Sequence, residues 1–92
     1  MIQRDTLVDV SFNTTKRDWT VQHRGLDFGD AGKVFAGTVF TSAVANPQDY
    51  DEDRFISFGH LGDRRVVLVW TPRDNTHRII SMRRAHADEH PG

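Results

Sequence analysis

Three β-rich segments separated only by short turns constrain this chain of 92 residues more than any other feature. The segments are residues 54–59, 64–71 and 76–84, and they are rich in valine, isoleucine, phenylalanine and threonine, which favour extended backbone. The connecting sequences, HLGD and PRDN, contain the Gly, Pro, Asp and Asn residues that are typical of tight turns. Strands joined in this way form hairpins, so the second half of the chain predicts an antiparallel sheet.

The first half of the chain combines strand and helix signals. β-Branched residues predict strands at residues 7–12 and 38–44, and helical spacing of polar and apolar residues predicts helices at 14–23 and 27–35. Either Asn13 or Thr14 is a suitable N-cap for the first helix. We expect Trp19 and Phe28 on these helices to pack into the core. The order β-α-α-β-β-β-β predicts an α+β fold, an antiparallel β-sheet with the two N-terminal helices packed on one face.

Length and cysteine content indicate one domain that is held together by packing alone. We predict a single domain over residues 1–92, and the absence of cysteine excludes disulfides. Residues 85–92 are polar and predict either a short C-terminal helix or a frayed tail. The N-terminus lacks the features of a signal peptide, and the longest apolar run, residues 66–70, is far below the ~20 residues that span a bilayer. We therefore expect a cytoplasmic protein.

The register of the last hairpin divides the sheet residues between two faces. If Trp70 lies opposite Thr76, then Arg65 lies opposite Ser81, since opposed positions keep a constant sum of residue numbers. One face, predicted to be the core face, would then carry Ile56, Phe58, Val66, Leu68, Trp70, Ile80 and Met82. The other, predicted to be a shallow cationic surface, would carry Ser57, Gly59, Arg65, Val67, Val69, His77, Ile79, Ser81 and Arg83. A slip of one residue would exchange the two faces.

Positive charge is concentrated in the C-terminal half. The whole chain has a formal net charge of −1, which argues against a protein that coats nucleic acid indiscriminately. Residues 54–86 nevertheless hold seven arginines against Asp63 and Asp74, a sum of +5, so the remainder sums to −6. A single arginine on a strand is often only a solvated side chain. Clustering of arginines on neighbouring strands instead favours a surface that binds a polyanion.

Other motifs are weak. Residues 86–90, HADEH, match a zinc-binding pattern, but Pro91 follows at once and leaves no room for a further ligand, which favours a solvated tail. The sequence contains no Gly-rich phosphate loop and no nucleophile elbow. We therefore predict neither a metal site nor a cofactor.

Five short motifs follow one another along the chain. They are FNTTK at residues 12–16, HRGLDF at 23–28, VF at 34–35, YDEDRF at 50–55 and RIISMRRA at 78–85. In this order and spacing they resemble the BrnT family, the ribonuclease toxins of bacterial type II toxin-antitoxin pairs. The chain departs from the family at residues 23–25, where His-Arg-Gly replaces Lys-His-Gly, and in its short C-terminal segment.

The resemblance implies a fold similar to that of the RelE group and an endoribonuclease, or mRNA interferase, that works without metal. In such cleavage the 2′-hydroxyl attacks the adjacent phosphate, and the enzyme mainly stabilises charge. The resemblance also implies a cognate antitoxin similar to BrnA, with a ribbon-helix-helix part, so that DNA is contacted only through the antitoxin. The alternative is a catalytically inactive toxin-like module that acts with an antitoxin or repressor partner.

Arginine suits this chemistry because guanidinium stays protonated and holds phosphate in a bidentate fork. We expect Arg83 and Arg78, which lie in the ending that resembles the family, to be catalytic. Arg65, supported by the predicted register, and the nearby Arg73 and Arg54 are expected to bind RNA.

The general base is left open. His77 and Glu52 are the first candidates, whereas His60 and His86 lie nearer to Arg83. At ~3.3 Å per residue along a strand, His77 and Arg83 are ~20 Å apart, too far to act on one phosphate.

Overall fold

The computed structural model describes residues 8–44 and 53–86. Within them the elements are, in order, β1 (Val10–Phe12), α1 (Thr14–Arg24), a short 3-10 turn (Phe28–Asp30), α2 (Ala31–Ala36), β2 (Phe40–Ala43), β3 (Phe55–Leu61), β4 (Arg64–Arg73) and β5 (Thr76–Arg84). The predicted α+β class is confirmed. The predicted second helix is divided into the 3-10 turn and α2, because the Asp27 side chain accepts a hydrogen bond from the Gly29 amide and starts a separate turn there.

The strands of the described residues form one mixed sheet in the order β1-β5-β4-β3-β2. The pairs β2–β3, β3–β4 and β4–β5 are antiparallel, but β1 runs parallel to β5. The prediction of a wholly antiparallel sheet is therefore wrong. The helices carry the chain from β1 at one edge of the sheet to β2 at the other. β1 therefore pairs with β5, which is distant in sequence. The three residues of β1 do not determine whether that pairing is parallel or antiparallel.

Local side-chain chemistry fixes the ends of α1. The Asn13 side chain accepts a hydrogen bond from the Lys16 amide at 3.0 Å, which satisfies one of the free amides of the first turn. Gly25 ends the helix with a φ of 70°, a conformation that is costly for residues with a side chain. Of the two N-caps considered, the structure selects Asn13.

The hairpin between β4 and β5 has a tighter turn than predicted. Asp74 and Asn75 form a two-residue turn with φ values of 52° and 63°, and Arg73 lies opposite Thr76. The predicted pairing of Trp70 with Thr76 is therefore wrong. Pro72 is tolerated within β4 because it lies opposite His77, whose amide donates to Asp9 in the neighbouring segment rather than to β4. A proline at such a position removes no ladder hydrogen bond.

Contacts with α2 identify the core-bearing side of the sheet, which we call the helix face. Phe35 of α2 packs edge-on against Trp70, and Gly59 lies against Val34. Since opposed residues on neighbouring strands share a face, the helix face carries Phe55, Ser57, Gly59, Val66, Leu68, Trp70, His77, Ile79 and Met82. The opposite side, which we call the outer face, carries Ile56, Phe58, His60, Arg65, Val67, Val69, Thr71, Arg78, Ser81 and Arg83.

The predicted division of residues between faces is correct for β4 and wrong for β3. Ile56 and Phe58, predicted on the core face, lie on the outer face, whereas Ser57 and Gly59 lie on the helix face. Close packing of α2 explains this choice, because a Cβ atom on Gly59 would lie 2.7 Å from Val34 Cγ1. Only small residues fit beneath the helix at this point.

A β-bulge accounts for the errors on β5. Trp70 pairs with Ile79 but Val69 pairs with Ser81, which leaves Ile80 as the extra residue. Ile79 is therefore buried on the helix face and His77 is half-buried there, although both were predicted on the cationic surface. Ile80, predicted in the core, is only half-buried.

The core lies between the helices and the helix face. Leu26, Phe28, Ala31 and Val34 pack against Val66, Leu68, Trp70, Ile79 and Met82. The predicted burial of Leu68, Trp70 and Phe28 is confirmed. The core position predicted for Trp19 is wrong, since this side chain is 48% exposed at the margin of α1.

Some expectations fall outside the described residues. These are the position of Glu52 and the acidic loop around it, and nearly all of the C-terminal tail, of which only Ala85 and His86 are described, without helical structure. In the part of the chain that is described, no helix is long and apolar enough to cross a membrane.

Candidate nucleic-acid interface

The outer face brings three of the predicted arginines onto one side of the sheet. Arg78 lies near the start of β5, opposite Thr71, and Arg83 lies near its end, opposite Val67. Arg65 precedes Val67 by two residues on β4, which places it diagonally from Arg83, at a Cα separation of ~7–8 Å. We call these three residues the arginine surface.

The arginine surface has two ends. Arg78 and Arg83 pair with Thr71 and Val67, which are four positions apart on β4, so about 13 Å of strand separates them. Arg83 and Arg65 together occupy one end, where Val67 is buried between Phe58 and Arg83. Arg78 is half-buried at the other end, and no carboxylate among the described residues forms an ion pair with it. The spacing allows an extended polyanion to contact both ends.

Two histidines lie near the Arg65 and Arg83 end. His60 of β3 is directly opposite Arg65 and is exposed. His86 follows Ala85, whose amide donates to the Arg65 carbonyl at 2.9 Å. These positions agree with the expectation that His60 and His86 lie nearer to Arg83 than His77 does.

His77 lies on the other side of the sheet. Its ring stacks on Trp70 with 3.9 Å between centroids and meets Phe35 edge-on at 4.8 Å. Burial among these rings lowers the pKa of His77 below its usual 6.5, because the charged form loses hydration. The structure therefore does not bring His77 together with the arginine surface.

The remaining predicted RNA-binding residues lie beside the sheet. Arg73 is exposed next to the turn at Asp74 and Asn75. Arg54 directly precedes β3, and its carbonyl accepts a hydrogen bond from the Val44 amide at 2.8 Å.

A groove that the sequence did not predict lies between α1 and the edge of β5. It has a volume of about 280 Å³ and is lined by Lys16, Trp19, Thr20, Arg24, Phe28, Ile80 and Ser81. We call it the α1/β5 groove. Lys16, Thr20 and Arg24 are four residues apart and therefore lie along one side of α1. This spacing is the part of the groove that the sequence could have predicted. The opposite wall is formed by Ile80 and Ser81, at the β-bulge, and no local sequence pattern predicts a bulge there.

Among the described residues, no three His, Cys, Asp or Glu side chains cluster as they would around a metal ion.

The family model for the ribonuclease toxin BrnT of type II toxin-antitoxin systems matches residues 12–89. The chain therefore belongs to the BrnT toxin family, as the five motifs predicted. A comparison with individual curated proteins gives no match. Three of the five motifs meet at one place, because Lys16, Arg24 and the pair Ile80 and Ser81 all line the α1/β5 groove.

Proposed function

We propose that this protein is an endoribonuclease toxin that cleaves RNA without a metal ion and uses the arginine surface to bind and stabilise the reacting phosphate. Family membership supports the class of reaction. The observation that carries the choice of site is the placement of Arg65, Arg78 and Arg83 on the outer face, away from the helices. Several cations on one side of a sheet are suited to a substrate with a charge on every nucleotide.

In the proposed reaction, the 2′-oxygen bonds to phosphorus as the bond from phosphorus to the 5′-oxygen breaks. The products are a 2′,3′-cyclic phosphate and a 5′-hydroxyl. A base removes the proton of the 2′-hydroxyl, and an acid supplies one to the leaving 5′-oxygen. Negative charge accumulates on the phosphoryl oxygens meanwhile, and a guanidinium fork from Arg83 or Arg78 stabilises it.

We place the proton transfers at the Arg83 end of the arginine surface. His60, opposite Arg65, is the described residue best positioned to serve as general base there. Glu52 remains a second candidate. His77 is separated from these arginines by the sheet itself.

The partner in this proposal is a cognate antitoxin similar to BrnA, whose ribbon-helix-helix part binds DNA for the pair. Acidic side chains of the antitoxin would neutralise the arginine surface and exclude RNA from it. The proposed place of action is the cytoplasm, and the proposed fold group is that of RelE, for which the helices over one face of a mixed sheet are the supporting feature.

Replacement of the arginines tests the site. We expect Arg83→Ala to lower RNA cleavage on the order of a hundredfold, because a preorganised donor to the developing charge is lost. Arg78→Ala should also lower cleavage, and Arg83→Lys should restore activity only in part, since lysine has no planar fork. The measurement is cleavage of purified RNA in the presence of a chelator, with thermal melting to verify folding.

Arg84→Ala is the matched control. Arg84 is adjacent to Arg83 but pairs with Val66 of the helix face, so its side chain points away from the outer face. Its replacement should leave cleavage unchanged. Folded Arg83→Ala and Arg78→Ala proteins that cleave at the parent rate would place the site elsewhere. A folded parent that never cleaves RNA would leave the binding module as the function.

A further inference from the structure

We propose that the α1/β5 groove binds one nucleotide of the RNA strand beside the cleavage site, with its base in the groove and its phosphate between Lys16 and Arg24. This inference rests on the proposed ribonuclease function. It assigns a binding role to residues of α1 that lie outside the arginine surface.

The charges in the groove are of one sign. Lys16 and Arg24 are the charged residues of its lining. Arg24 donates a hydrogen bond to the Met82 carbonyl at 3.0 Å, and its guanidinium lies 5.3 Å from the centre of the Trp19 ring. In residues 8–44 and 53–86, neither cation forms an ion pair with a carboxylate. Two such cations beside a concave surface attract an anion.

Trp19 gives the groove an aromatic wall that water reaches. The side chain is 48% exposed, although tryptophan is one of the most apolar residues. Its ring is held against His23 by a stacked contact at 4.3 Å. The His23 ring is in turn hydrogen-bonded to the Trp19 carbonyl. An ordered, exposed aromatic ring next to cations is the combination by which proteins bind single-stranded nucleic acid.

The groove is large enough for one planar group, such as a nucleobase, and too small for a larger ligand. Its 280 Å³ lies just below the ~300–1,000 Å³ range of small-molecule sites. An α-helix of a protein partner, with a diameter of ~10–12 Å including its side chains, does not enter a pocket of this volume. One base with its attached phosphate matches both the apolar floor, formed by Phe28 and Ile80, and the cationic rim.

The groove is continuous with the arginine surface through β5. Ser81 lines the groove and also lies on the outer face between Arg78 and Arg83. β1 pairs with β5 only as far as Ile79, so the edge of β5 beyond that residue is not covered by β1. An RNA strand held at Arg78 therefore reaches the groove by passing over this edge.

Binding of a single-stranded RNA whose 2′-hydroxyls are methylated tests the inference, because such RNA is bound but cannot be cleaved. We expect Trp19→Ala to weaken binding about tenfold, as for loss of one base–aromatic contact. Lys16→Ala should weaken it severalfold, whereas Trp19→Phe should retain most of the affinity. With cleavable RNA, Trp19→Ala should raise KM, and Arg83→Ala should lower kcat.

Val21→Ala is the matched control. Val21 is also on α1 and is 43% exposed, but it is not part of the groove lining. Its replacement should leave RNA affinity unchanged, and thermal melting should show that all the variants fold.

The outcomes separate this inference from the proposed function. If the parent cleaves RNA and Trp19→Ala and Lys16→Ala bind it like the parent, the groove is not a nucleotide site. If Trp19→Ala keeps RNA affinity but loses the co-expressed antitoxin, the groove binds a polypeptide, and the inference is overturned. If the parent binds methylated RNA through Trp19 yet never cleaves RNA, the nucleotide site stands and the ribonuclease function fails. A parent that neither binds nor cleaves RNA overturns both.

Discussion

His77 is half-buried against the aromatic rings at the margin of the core, and this partial burial lowers its pKa. Trp70 stacks on it, and Trp70 itself donates a hydrogen bond from Nε1 to the Ser57 hydroxyl at 2.8 Å. Protonation would place a charge among rings that offer it little hydration. Protonation of His77 therefore makes the stability of the packing on the helix face depend on pH.

We expect acid to destabilise the fold through His77. In the unfolded chain the residue titrates near 6.5, and in the folded protein its pKa is lower, so the unfolded state binds more protons between the two values. Its contribution to the free energy of unfolding is complete above pH ~6.5 and declines as the pH falls below that value. Denaturant unfolding at pH 7.5 and pH 5.5 measures this decline.

His77→Phe is the informative comparison, because phenylalanine keeps an aromatic ring against Trp70 but cannot be protonated. The variant should lose less stability than the parent over the same pH interval. An equal loss in both proteins would show that the pH dependence arises from other groups.

Among the elements, β3 and α2 approach each other closely at Gly59. We expect Gly59→Ala to lower the free energy of unfolding by roughly 1–3 kcal/mol, as for overpacking of a tight core. The new methyl group would meet Val34 Cγ1 at 2.7 Å and Val39 Cγ1 at 2.9 Å, and branched side chains yield little.

Gly37→Ala tests whether the cost at Gly59 is specific. A Cβ atom at Gly37 would lie 3.7 Å from the Val34 carbonyl oxygen, an ordinary contact, and the backbone φ is −94°. This variant should be close to the parent in chemical denaturation. If both alanine variants are equally stable, the close contact between α2 and the sheet at Gly59 is not present in solution.

Element type was predictable from sequence, whereas pairing was predictable only in part. Alternation on β4 placed Val66, Leu68 and Trp70 correctly because the two bulkiest residues, Leu68 and Trp70, fall on one side, whereas Val67 and Val69 on the other side are smaller. On β3 both sides carry apolar residues, Phe55 on one and Phe58 on the other, so alternation alone does not choose between them.

The candidate site was predictable to the same extent. Arg83 was placed off the core correctly because Met82 beside it is fully apolar and buried. His77 was misplaced because an extra residue, Ile80, reverses the alternation between the two ends of β5. A bulge depends on the wider packing of the sheet and leaves no mark in the local sequence.

At the scale of the whole molecule, a chain of net charge −1 is expected to bind RNA only where its cations are gathered. If Arg65, Arg78 and Arg83 each contact a phosphate, these contacts should contribute about −2 to the slope of the logarithm of the binding constant against the logarithm of salt concentration, at ~0.7 per contact, and a phosphate held in the α1/β5 groove would make the slope steeper. Arg78→Ala should reduce the magnitude of this slope by about 0.7, and Arg84→Ala should leave it unchanged. Titrations of methylated RNA at several salt concentrations give the slope. A slope near zero would rule out phosphate binding by this surface.

Under the proposed function, the parallel pairing of β1 with β5 also sets the point in synthesis at which the chain can become active. Ser11 and Thr76 share a hydrogen bond at 2.9 Å although they are 65 positions apart in the chain. Contacts this distant form late, because the intervening loop must close first. Arg78 and Arg83 lie on β5 itself, so a ribosome that adds about 5–20 residues per second completes most of the chain before the arginine surface exists. Under the proposed function, a nascent chain cannot cleave RNA until its fifth strand docks, and an antitoxin already present would meet it at that moment.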